Sequence, residues 1–64
     1  RNFNDYINEI RIEKAKDMLL DKSFSTWPIV RIAMDLGFGS IAPFNKAFKE
    51  RTNMTPTEFR IKRK

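Results

Sequence analysis

The run Ile29-Val30-Arg31-Ile32-Ala33-Met34-Asp35-Leu36-Gly37-Phe38-Gly39-Ser40-Ile41-Ala42-Pro43-Phe44-Asn45-Lys46-Ala47-Phe48 decides the fold of this 64-residue chain. Ile29, Ile32, Ala33 and Leu36 follow the i, i+3, i+4, i+7 spacing of one buried helical stripe. Pro28 is placed where a helix can start, because its missing N–H is not needed in a first turn. Gly37 follows the stripe directly, as a C-capping glycine does when it takes up positive φ without a Cβ clash. Phe38 is positioned to pack back on that helix, and Gly39-Ser40 completes a tight turn with Ser40 as N-cap of the next. The next helix is expected over about Ile41 to Arg51, with Pro43 tolerated in its first turn. Its wheel places Ile41, Phe44, Ala47 and Phe48 on one side and Ala42, Lys46 and Lys49 on the other, flanked by Pro43, Asn45 and Glu50.

Outward from this centre the chain continues helical. Glycine occurs only at 37 and 39 and proline only at 28, 43 and 56, and no stretch alternates like a half-exposed strand. The spacing predicts a first helix from about Asn4 to Asp21, with Asn2 or Asn4 as N-cap, and a loop from Lys22 to Trp27. That helix carries two apolar sectors in succession, Phe3, Tyr6, Ile7 and Ile10, then Ile12, Ala15, Met18 and Leu19, rotated by about 130° at about 100° per residue. Two sectors imply two packing partners, and the chain has helices for one. Asp5, Glu9, Glu13, Asp17 and Asp21 recur every fourth residue as a solvent face, with no arrangement suited to paired-carboxylate catalysis. After the second helix of the central run, Asn53 offers a left-handed terminator. Thr55-Pro56-Thr57-Glu58 matches a capping box opening a short last helix to about Arg63, anchored by Phe59. The expected fold is all-α, about four helices, with Ile32, Leu36, Phe38, Phe44 and Phe48 in the core.

Composition narrows the function. With no cysteine and no histidine, Cys/His metal sites and Cys/His catalysis drop out, and no nucleophile–base constellation points to an enzyme or a cofactor. The apolar runs are too short for a membrane span or the core of a signal peptide, which with the missing cysteine suggests a cytoplasmic protein. Residues 1 to 35 hold six basic and six acidic side chains, whereas residues 36 to 64 hold seven basic and two acidic, so the whole excess of +5 lies in the second half. Such placement favours a polyanion. The alternative is a solvated tail, since Arg60, Lys62, Arg63 and Lys64 supply four of those seven charges.

Two helices joined by a short glycine-containing turn form the helix-turn-helix, whose second helix enters the major groove of duplex DNA. Read with their spacing, Ile29, Ile32-Ala33, Gly37-Phe38, Ser40, Phe44, Phe48-Lys49, Thr55-Pro56 and Phe59-Arg60 resemble the second helix-turn-helix of the AraC/XylS family of bacterial transcription regulators. Phe3, Tyr6-Ile7, Arg11-Ile12, Ala15 and Leu19-Leu20 resemble that family's linker helix. The resemblance implies a homeodomain-like fold, residues 1–22 as the linker and residues 23–64 as the reader. It also implies a missing upstream helix-turn-helix and an effector-binding or dimerisation domain elsewhere in a longer regulator.

Three departures from the family pattern stand out: Asn53 in place of a glycine, a longer loop through Ser25, Thr26 and Trp27, and Ile41, Ala42 and Pro43 where some relatives carry polar base readers. By the resemblance and the wheel, Ser40, Ala42, Pro43, Asn45, Lys46 and Lys49 border the major groove. Asn45 suits adenine, Lys46 guanine and Ala42 a thymine methyl, with Lys49 suited to phosphate. The bland reading of Asn45 and Lys46 is a solvated helix face, with Lys46 pairing to Glu50 one turn on. The competing function is a helical module that contacts RNA polymerase or another protein, which salt dependence distinguishes from DNA binding.

Overall fold

The computed structural model describes residues 3–62, with the backbone alone at Lys62. Among these, four α-helices occur in the order α1 (Phe3–Leu20), α2 (Ile29–Asp35), α3 (Ile41–Thr52) and α4 (Pro56–Lys62), with a 3-10 turn at Lys22–Phe24 between α1 and α2. The helix boundaries follow local chemistry closely. At the end of α2 the Phe38 N–H donates to the Ala33 carbonyl and the Gly37 N–H to the Met34 carbonyl, both at 3.1 Å. Gly37 has φ 99°. Together these form a Schellman cap, and Phe38 makes the hydrophobic contact that accompanies it. Asn53 ends α3 in the left-handed conformation, φ 63° and ψ 17°, with its N–H on the Lys49 carbonyl. The Thr55 N–H donates to Glu58 Oε1 at 2.9 Å while the Glu58 N–H donates to Thr55 Oγ1 at 3.1 Å, so the capping box closes in both directions.

Several boundaries differ from expectation. Asn4 lies inside α1 and so does not cap it, while Asn2 and Arg63 fall outside the described residues. α1 stops at Leu20, and Asp21 instead accepts from the Ser23 N–H, capping the 3-10 turn inside what the sequence marks only as a loop. Pro28 is extended, φ −66° and ψ 152°, and serves as N-cap of α2 rather than its first helical residue. Ser40 occupies the N-cap position of α3 in extended conformation, but its side chain makes no capping hydrogen bond.

The core draws on three helices and one turn: Ile12, Ala15 and Leu19 of α1, Ile32 and Ala33 of α2, Phe38, and Phe44, Ala47 and Phe48 of α3. Ala33 is fully buried, and its small side chain lets α2 and α3 approach. Aromatic edges lock the centre, with Phe38 to Phe44 at 5.2 Å, Phe44 to Phe48 at 5.8 Å and Phe48 to Phe59 at 5.3 Å between ring centroids. These separations lie in the favourable range for tilted rings. Leu36, expected in this core, is only half-buried, because it faces an open groove beside Ile7, Ile10 and Met18. Only the second apolar sector of α1 packs inward. Phe3, Tyr6 and Ile10 of the first remain 75%, 50% and 37% exposed.

Candidate nucleic-acid interface

α3 is held by its inner face, which determines what its outer face presents. With Phe44, Ala47 and Phe48 buried, the helical period turns Ala42, Pro43, Asn45, Lys46 and Lys49 outward, and all five are exposed. Ser40 is exposed at the head of the helix. The six residues singled out in the sequence are thus all exposed on the outer side of α3, spread from the turn that precedes it to its last turn. Asn45, Lys46 and Lys49 line a shallow depression of about 350 Å³ with Glu50 and Thr55. Thr55 is the residue that wheel reasoning on α3 alone misses; its capping-box position just beyond the helix was the available signal.

That outer side is fixed in place by contacts at both ends of α3. At the turn, the Arg11 guanidinium lies over the Phe38 ring at 5.4 Å from its centroid. It also fills the space beside Gly37, where an added Cβ would meet Arg11 Nη2 at 3.3 Å. At the far end, Arg51 Nη2 donates to the Asp5 carbonyl at 3.2 Å. The Thr52 hydroxyl donates to the Phe48 carbonyl at 2.9 Å and accepts from the Met54 N–H at 3.2 Å, closing the link to α4.

Arg60, one of the four charges on which the solvated-tail alternative rests, is tied down. Its Nη1 donates to the Trp27 carbonyl at 2.7 Å, and Arg31 stacks over the Trp27 ring at 3.9 Å, with Phe24 packed edge-on at 4.7 Å. The loop through Ser25 and Thr26 is therefore tied to α2 and α4. Nothing in local spacing signals a contact between residues 27 and 60. Lys62's side chain, Arg63 and Lys64 lie outside the described residues.

Of the acidic stripe, Asp5, Glu13 and Asp17 on α1 and Asp21 just beyond its end are exposed, while Glu9 is half-buried. Glu13 pairs with Lys16 at 3.1 Å. Among the described residues no cluster of His, Cys, Asp or Glu is arranged to hold a metal ion, and no helix is long and apolar enough to cross a membrane.

A glycine-capped helix, a tight turn and a second helix with its aromatic face buried and its basic edge exposed define a helix-turn-helix protein. Residues 1–62 match the family model described as a helix-turn-helix domain, of the AraC type, and the chain belongs to that family. It is 40% identical over 60 residues to an uncharacterized HTH-type transcriptional regulator of Pseudoalteromonas carrageenovora, covering 94% of this chain and 33% of the relative. It is likewise 40% identical over 58 residues to uncharacterized HTH-type transcriptional regulators of Staphylococcus aureus strains COL and MSSA476, covering 91% of this chain and 7% of each relative. The chain thus spans a third or less of the length of these curated relatives. No solved structure matches it significantly.

Proposed function

We propose that this chain binds duplex DNA in a sequence-dependent manner as the second reader of a transcription regulator, with α3 in the major groove. The observation that carries this reading is the exposure of Ser40, Ala42, Pro43, Asn45, Lys46 and Lys49 on the outer side of the second helix of the motif. These residues lie in the half of the chain holding the whole positive excess. Asn45 and Lys46 are the base readers able to form hydrogen bonds, and Lys49 is a phosphate contact, while the same Lys49 with Arg51 complements the C-terminal dipole of α3. Residues 1–22 act as the linker and residues 23–64 as the reader.

The uncovered half of α1 supports a second element of this reading. Phe3, Tyr6 and Ile10 suit a further helical unit of a longer protein, in keeping with the much greater length of the relatives. A single reader makes few phosphate contacts, so its affinity alone is modest.

Titration of labelled duplex at several salt concentrations tests the proposal. The logarithm of affinity should fall linearly with the logarithm of salt, and Lys46→Ala or Lys49→Ala should each lower the slope by about 1. A folded sample that binds no duplex, or binds without salt dependence, would instead support the use of this surface against RNA polymerase or another protein.

A further inference from the structure

The leading turn of α3 is poor in hydrogen-bonding side chains. The N-terminal residues of a recognition helix are the ones that reach base edges. Here the exposed side chains at that end are Ser40, Ala42 and Pro43. Ala42 offers a methyl group and Pro43 a ring of methylenes, and neither can donate or accept. Ser40 makes no capping hydrogen bond, but a hydroxyl both donates and accepts and so fits either kind of base edge. Beside Ser40, a Cβ added at Gly39 would meet nothing within 4 Å. Beyond Ser40, exposed side chains with directional hydrogen bonds resume one turn later, at Asn45 and Lys46.

In the major groove cytosine presents an N4 donor, and thymine presents an O4 acceptor and a C5-methyl group. An apolar surface cannot distinguish the donor from the acceptor, whereas it gains from burying the methyl. Resting on the DNA-binding reading above, we propose that Ala42 and Pro43 read the C5-methyl group of a pyrimidine irrespective of the group at C4. Thymine and 5-methylcytosine are then accepted alike at that position, while uracil and unmethylated cytosine are both disfavoured. The site is consequently sensitive to cytosine methylation as well as to sequence.

The test starts from duplexes enriched from a random pool by the 64-residue chain at low salt. At each enriched thymine, uracil, cytosine and 5-methylcytosine are substituted with the matching partner base, and affinity is read by fluorescence anisotropy. At one position or more, loss of the methyl should weaken binding about fourfold, the value of one buried methyl. Thymine and 5-methylcytosine should agree there within the error of the measurement. Ala42→Gly should reduce that methyl effect, with Ala42→Ser as a second variant that retains the Cβ, and circular dichroism verifies that both are folded. Uracil binding as well as thymine, or 5-methylcytosine binding no better than cytosine, at every position overturns the inference and leaves DNA binding intact. Failure to enrich any sequence overturns the DNA-binding reading and this inference with it.

Discussion

Phe44 shows how much one side chain contributes in a molecule of this size. It is fully buried and bridges Phe38 to Phe48, so Phe44→Ala should cost ~3–5 kcal/mol. A domain's whole stability is about 0.05–0.15 kcal/mol per residue, and the loss is comparable to that total for 64 residues. The variant should lack a cooperative thermal transition by circular dichroism; a melt like that of the wild type would contradict the buried face assigned to α3. Gly37 is constrained in a different way. Its φ of 99° disfavours any Cβ, and Arg11 Nη2 stands 3.3 Å from where one would be. Gly37→Ala should destabilise by ~1–2 kcal/mol, seen in urea unfolding as a lower midpoint with an unchanged slope.

Helices start and stop here for reasons written mostly in adjacent residues, and this is why so much of the fold is legible. The Gly37 cap, the Asn53 terminator and the Thr55–Glu58 capping box each depend on residues within a few positions of one another, and all three form. Thr55→Ala should therefore cost about 1 kcal/mol. It should loosen α4 first, giving faster amide exchange at Phe59 and Arg60 than in α3. Ser40 marks the limit of the same reasoning: backbone position follows from the turn, but whether a hydroxyl then bonds depends on its rotamer. Contacts across sequence are less accessible still. The Arg60 bond to Trp27, the Arg51 bond to Asp5 and the burial of Pro56 depend on how helices meet, which periodicity does not specify. The outward residues of α3 are legible because fixing Phe44 and Phe48 inward leaves the wheel no other choice.

Across the whole molecule, α1 divides into a half that belongs to this core and a half that does not. Replacing Phe3 and Tyr6 by Gln should change stability by less than about 0.5 kcal/mol, as for surface positions. Ile12→Ala, two turns further on and fully buried, should cost ~2–5 kcal/mol. Thermal or denaturant unfolding of the two variants compares the sectors directly, and equal losses would mean that both are packed. One feature joins the remaining parts. Trp27 is the chain's sole tryptophan, and it is held by Phe24 before it, by Arg31 on α2 and by Arg60 on α4. Its indole is thus a native optical reporter: a cation over the ring and a hydrogen bond on its own carbonyl couple the emission spectrum to the docking of the last helix. Light emitted from residue 27 follows the closure of the fold without any added label.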